Sequence, residues 1–149
     1  MLLKEICVLN VATCARNATI LEAAHLMRQQ HTGNLIIVDE LNGDKTPAGI
    51  ITDRDIVVEV LAKGLDPGDT KVGQVMSAKL VIASEDEDLE EAVDRMRLHG
   101  VRRLPVVDEH GHLTGVVSLD DMIRLHTEQG VAMAEIIAKE QNREHRTKR

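Results

Sequence analysis

ATILEAAHLMRQQHTGNLIIVDE, residues 18–40, returns as EDLEEAVDRMRLHGVRRLPVVDE, residues 87–109, at an offset of 69 positions. Ala23 and Ala92, Met27 and Met96, Leu35 and Leu104, and Asp39 and Asp108 fall in register. A second landmark, GIITDRDI (49–56), is echoed by GVVSLDDM (115–122) at an offset of 66, so one loop is three residues shorter in the second copy. Each copy is roughly 60 residues, a size that buries only about 60% of its chain surface and is marginal alone. The two copies are therefore expected to pack against each other, share a core and leave a cleft between them.

Within each copy the hydrophobic period alternates. Val11–Thr13 reads as a short strand. From Thr19, Ile20, Ala23, Ala24 and Met27 keep helical spacing until His31-Thr32-Gly33. Leu35–Val38 is a buried-strand run, Asn42-Gly43 a turn, and Ala48–Thr52 a returning strand. A helix then runs from Asp53 through Leu61 to a stop at Gly64. The second copy repeats this order: strand Leu80–Ala83, helix within Leu89–His99, a hairpin of Leu104–Val107 and Leu113–Val117, and a helix from near Leu119. The lead-ins LLKEIC and KVGQVM also match, each predicting a short helical turn. The expected architecture is α+β, strand-helix-strand-strand-helix twice, packed as a pseudo-twofold pair. Its divisions are 1–66, 67–129 and a helical tail, 130–149, frayed at its end. In that tail Val131, Ala134, Ile137 and Ala138 suit a helix packing on the body or on a partner subunit.

Composition excludes several functions. The 149 residues contain no Phe, Tyr or Trp, so a base-like ligand must be held by aliphatic side chains and backbone. The aromatic platforms of single-strand nucleic-acid binders are absent, and a net charge of −7 disfavours nucleic acid as partner. The basic stretch 139–149 suits a salt-sensitive contact with nucleic acid or acidic partners. The acidic run Glu85–Glu91 coincides with a helix start, where negative charge is favourable. Cys7 and Cys14 form no CxxC pair, and the seven histidines suggest no metal set; His110 and His112 sit in a turn. No run approaches the ~20 apolar residues of a membrane span, and the N-terminus is a poor signal peptide. The expectation is a soluble cytoplasmic protein with reduced thiols, no catalytic machinery and no required cofactor.

VGQVMS, LPVVD after a helix ending in His-Gly, and the twice-used pattern of glycine, two aliphatics, Thr or Ser, two residues and Asp together resemble a tandem pair of CBS domains, or Bateman module. The resemblance covers about residues 3–127 and is to the small stand-alone bacterial proteins in particular. It implies a regulatory sensor that binds an adenosine-containing ligand (AMP, ADP or ATP, then NAD, then S-adenosylmethionine) and forms a homodimer read by a partner protein.

Thr52 and Asp55 form a Thr-x-x-Asp pattern that caps a helix. The same geometry offers a hydroxyl and free N–H groups to phosphate and a carboxylate to ribose. Ser118 and Asp121 repeat it. By family position, Arg102 or Arg103 points at phosphate, where a guanidinium supplies paired donors. Their counterparts in the first copy, Gly33 and Asn34, carry no charge, while Arg54 matches acidic Asp120, so the two pockets are unequal. Family position also places Ala12, Val81, Leu35, Leu104 and Pro105 around adenine, although each of them also suits core packing. A dimeric scaffold with vestigial pockets is the competing reading, and the inequality of the pockets favours it.

Overall fold

The computed structural model describes residues 1–147. Its elements follow the repeated order: α1 (Leu3–Ile6), β1 (Thr13–Ala15), α2 (Ile20–Gln30), β2 (Asn34–Leu41), β3 (Asp44–Thr52) and α3 (Asp53–Ile56); then α4 (Val72–Val75), β4 (Ala83–Ser84), α5 (Leu89–His99), β5 (Arg103–Val107), β6 (Leu113–Ser118) and α6 (Leu119–Thr147). Two three-stranded sheets result, ordered β1-β2-β3 and β4-β5-β6. In the first, β1 runs parallel to β2, and β3 returns antiparallel, with Leu35 opposite Ile51. The chain divides into two compact units, Met1–Val117 and one beginning at Ser118.

Local chemistry accounts for the helix limits. Thr19 caps α2, accepting from Glu22 N–H at 3.1 Å while the Glu22 carboxylate accepts from Thr19 N–H. Asp88 caps α5 through its carboxylate alone, accepting from Glu91 N–H at 3.0 Å. The acidic cluster thus starts a helix, and Asp86 and Glu87 pair with Lys4 and Arg95. α2 ends at His31 and α5 at Gly100, both left-handed. The helix expected over Asp53–Leu61 changes character after Ile56. Ala62 N–H bonds Val57 O and Leu65 N–H bonds Val60 O, the i→i+5 spacing of a π-type turn, before Gly64 at φ +70° ends it.

The first strands form later in sequence than the apolar runs suggest. Ala12 contributes only its carbonyl, to Ile36 N–H, before laddering begins at Thr13. Leu80–Ile82 precede β4 without laddering. The two matching lead-ins do not stay with the copies they precede. α4 docks on the first repeat through Val72 N–H to Ala18 O, Gly73 N–H to Arg16 O, and the reciprocal pair between Ile50 and Ser77. α1 docks on the second repeat through the equivalent bonds, Leu3 N–H to Glu87 O, Lys4 N–H to Glu85 O, and the reciprocal pair between Val8 and Val116. Each repeat is thus completed by the other's leading arm, and Leu3 and Val72 are fully buried there.

Gly49 and Gly115, the glycines of the duplicated motif, lie under these arms. A Cβ on Gly49 would stand 2.7 Å from Ser77 O, and one on Gly115 2.7 Å from Cys7 Sγ and 2.9 Å from Val8 O. Only a residue without a side chain admits so close a backbone.

The first-repeat core joins Cys14, Ile20, Ala23, Met27, Leu35, Ile37, Ile51, Ile56, Val60 and Val72. Burial pushes the Cys14 thiol from its ordinary 9.0 up to about 11, with the Glu22 charge adding to the rise. The protonated thiol is therefore favoured by folding. Its contribution is fully present below pH 9 and is lost as pH climbs through about 11. At pH 8 a thiol reagent is expected to leave Cys14 unmodified in the native protein and to label it in denaturant. Prompt native labelling would mean that β1 opens.

Candidate functional site

A cavity of about 260 Å³ lies where the repeats meet, lined by Asn34, Ile50 and Thr52 from the first and by Lys79, Leu80, Val81, Val101, Arg102, Arg103 and Pro105 from the second. Its volume is just under the ~300–1,000 Å³ usual for small-molecule pockets. Its walls are aliphatic, three of its side chains are cationic, and no carboxylate lines it. Five of the residues singled out in the sequence meet here: Thr52, Val81, Arg102, Arg103 and Pro105.

The strand ends explain the arrangement. β3 finishes at Thr52 and β5 begins at Arg103, so a hydroxyl and a guanidinium are delivered at strand termini. Lys79 and Leu80 belong to the extended segment that follows the α4 arm. The sequence reading missed Lys79, Asn34, Ile50, Leu80 and Val101. Of these, Lys79 had a usable signal, as a cation beside an apolar run with neutral Asn10 at its counterpart.

Thr52 and Asp55 form a complete capping box. Asp55 N–H donates to Thr52 Oγ1 at 3.1 Å, and Thr52 N–H donates to Asp55 Oδ2 at 2.9 Å. One carboxylate oxygen of Asp55 is thereby committed to the backbone, and Asp55 lines a different cavity from Thr52. That cavity, about 590 Å³, is bordered by Asp55, Glu59, Lys63, Asp69, Gln74 and their neighbours. It has three carboxylates and one ammonium, and the ammonium, Lys63, is paired with Glu59. The larger space therefore repels anions, whereas the smaller one attracts them.

The remaining candidates separate. Leu35 and Leu104 are 0% exposed and line neither cavity. Ala12 packs at the edge of the first core. Arg54 is exposed, and its N–H is held by Asp53 Oδ1 at 2.8 Å. In the second unit, Ser118 Oγ donates to Asp121 Oδ2 at 2.8 Å and accepts from Asp121 N–H at 3.1 Å, and Arg124 reaches Asp121 Oδ1 at 3.4 Å. The hydroxyl–carboxylate pair of the first repeat thus has a chemical twin.

His112 Nδ1 lies 3.7 Å from Asp108 and 3.8 Å from Asp44. Backbone N–H donors from His112 and His110 hold the Asp108 carboxyl below its usual range. Among the described residues no group of three or more His, Cys, Asp or Glu is arranged to hold a metal ion. No helix among them is long and apolar enough to cross a membrane.

The profile of the CBS domain matches residues 3–62 and 72–128. The CBS domain-containing protein YhcV of Bacillus subtilis is 40% identical over 119 residues, covering 80% of this chain and 81% of that protein. An uncharacterised protein of Methanopyrus kandleri is 36% identical over 116 residues, covering 78% of this chain but only 58% of its own length. Among solved structures, the CBS domain pair of protein MJ0100, in complex with 5′-methylthioadenosine and S-adenosyl-L-methionine, superposes with a TM-score of 0.73 at 29% identity. The match covers 87% of this chain and 98% of that one.

Proposed function

As the chain belongs to the CBS-domain family, whose domains are non-catalytic regulatory modules, we propose that it is a sensor binding an adenosine-containing ligand in the 260 Å³ cavity between its repeats. The observation that carries this reading is the lining itself: aliphatic walls from both repeats, a strand-end hydroxyl at Thr52, and cations at Lys79, Arg102 and Arg103. Aliphatic side chains suit a base in a chain without aromatics, and the cations suit phosphate. The solved pair that holds two adenosyl compounds lends further support. AMP, ADP, ATP and NAD are the ligands to test first. Ser118 and Asp121 supply a second hydroxyl–carboxylate pair for a nucleoside.

The signal is a change in how the repeats, or two copies of the chain, pack. It requires the ligand to bind one arrangement more tightly than the other. A homodimer is part of this reading, and exposed Val57, Val58, Leu61 and Leu98 on the helices are surfaces suited to it. A dimeric scaffold without a ligand is the alternative. The closed capping box at Thr52 and Asp55 favours that reading, because it commits the Thr52 hydroxyl oxygen and one Asp55 oxygen to the backbone.

Thermal unfolding separates the two. A ligand at about 100 times its dissociation constant adds about 2.7 kcal/mol, enough to raise the midpoint by several degrees. The shift is expected with at least one of AMP, ADP, ATP or NAD, and Arg103→Ala is expected to reduce it. Native mass spectrometry of the same samples should show a dimer carrying its ligand. A bare monomer with a flat midpoint across the panel would leave neither sensing nor dimerisation standing.

A further inference from the structure

We infer that the cavity between the repeats selects its occupant by charge, taking an adenosine nucleotide with two or more phosphates in preference to AMP and rejecting the cationic S-adenosylmethionine. The inference rests on the reading above that a nucleoside occupies this space.

The lining holds Lys79, Arg102 and Arg103 and no acid. Lys79 and Arg103 are exposed as well as lining, and neither makes a hydrogen bond or ion pair among the described residues. Their charges are therefore available to an incoming anion without breaking an internal contact. The enclosed volume suits a nucleoside, and a phosphate chain would run out past these exposed cations. Each further phosphate brings more negative charge to these cations and so gains attraction.

The duplication supplies the comparison. At the offset of 69, Lys79, Arg102 and Arg103 correspond to Asn10, Gly33 and Asn34, all neutral. Space beside Gly33 is filled by a carboxylate: a Cβ there would lie 2.9 Å from Asp53 Oδ2. Where the second repeat places guanidinium groups, the first places an acid. At these three positions the charge is thus positive in the second copy only. A sulfonium ligand would face the cations of Lys79 and Arg103 and be repelled.

The test is isothermal calorimetry in EDTA-containing, magnesium-free buffer with ATP, ADP, AMP, adenosine and S-adenosylmethionine. ATP is expected to bind at least about tenfold more tightly than AMP, with adenosine weaker and S-adenosylmethionine weakest. Raising the salt should narrow the gap between ATP and AMP. Lys79→Ala and Arg103→Ala, both at exposed positions, should each bring ATP toward the affinity of AMP, shrinking the ratio between the two. Equal affinities for ATP and AMP, or S-adenosylmethionine binding as tightly as ATP, would overturn charge selection while sparing the nucleoside reading. Failure of every adenosine compound to bind would overturn both.

Discussion

Leu104→Ala is expected to lower the free energy of unfolding by about 2–5 kcal/mol, measured by urea denaturation. Leu104 sits in β5 beside Pro105, Val106 and Val107, and its side chain is 0% exposed. Truncation removes apolar contact and leaves a cavity that a sheet pinned by neighbouring strands cannot close. Against a typical domain stability of about 5–15 kcal/mol, this is a large fraction. Leu104 belongs to the core and not to the wall of the cavity, so any midpoint shift produced by a nucleotide should persist in the variant under conditions where it stays folded. Leu35, the matching residue of the first repeat and equally buried, should behave alike. A loss below about 1 kcal/mol, or a vanished nucleotide shift in a folded Leu104→Ala protein, would return this position to the ligand site.

Gly49→Ala is expected to cost about 1–3 kcal/mol, the range for forcing atoms into a filled space. The new methyl would meet Ser77 O at 2.7 Å and Met76 Sδ at 2.8 Å. The backbone oxygen cannot step aside without breaking the reciprocal Ile50–Ser77 hydrogen bonds, at 3.1 and 3.0 Å. Loss of amide protection at Ser77 should accompany the destabilisation. Gly115→Ala is expected to cost a comparable amount, because its methyl would meet Cys7 Sγ at 2.7 Å and the backbone Val8 O at 2.9 Å. Gly130→Ala is the control of opposite sign. That glycine lies inside α6 with open space around it, and alanine is the better helix former by about 1 kcal/mol. Equal stability for Gly49→Ala and wild type would show that the arm does not need the missing side chain.

Half of the cavity's lining is legible in the chain, and what is not legible has a common cause. Thr52 and Asp55 were read correctly as a capping pair, because a cap depends on residues three apart and little else. Leu35–Val38 is buried throughout, so no alternation survives to say which side chains face a cleft and which face the core. Leu35 and Leu104 were for that reason grouped with Pro105, although only Pro105 reaches the cavity. Lys79 went unremarked because its role depends on a segment of the second repeat meeting strand ends of both. The π-type turn after Ile56 and the unbroken run of α6 through Val131 are likewise outcomes of packing that periodicity does not encode.

Read alone, the chain determined the duplication, the order of elements in each copy, the helix caps and the unequal charge of the two halves. Those properties are local or follow from comparing one copy with the other. The fold decided which copy each leading arm completes, since LLKEIC and KVGQVM are near-equivalent and either docking would satisfy the same backbone groups. It also decided that Lys79, Arg102, Arg103 and Thr52 share one cavity while Asp55 faces another. Convergence of residues some 50 positions apart is set by how the two sheets pack, and sequence spacing carries no record of that distance.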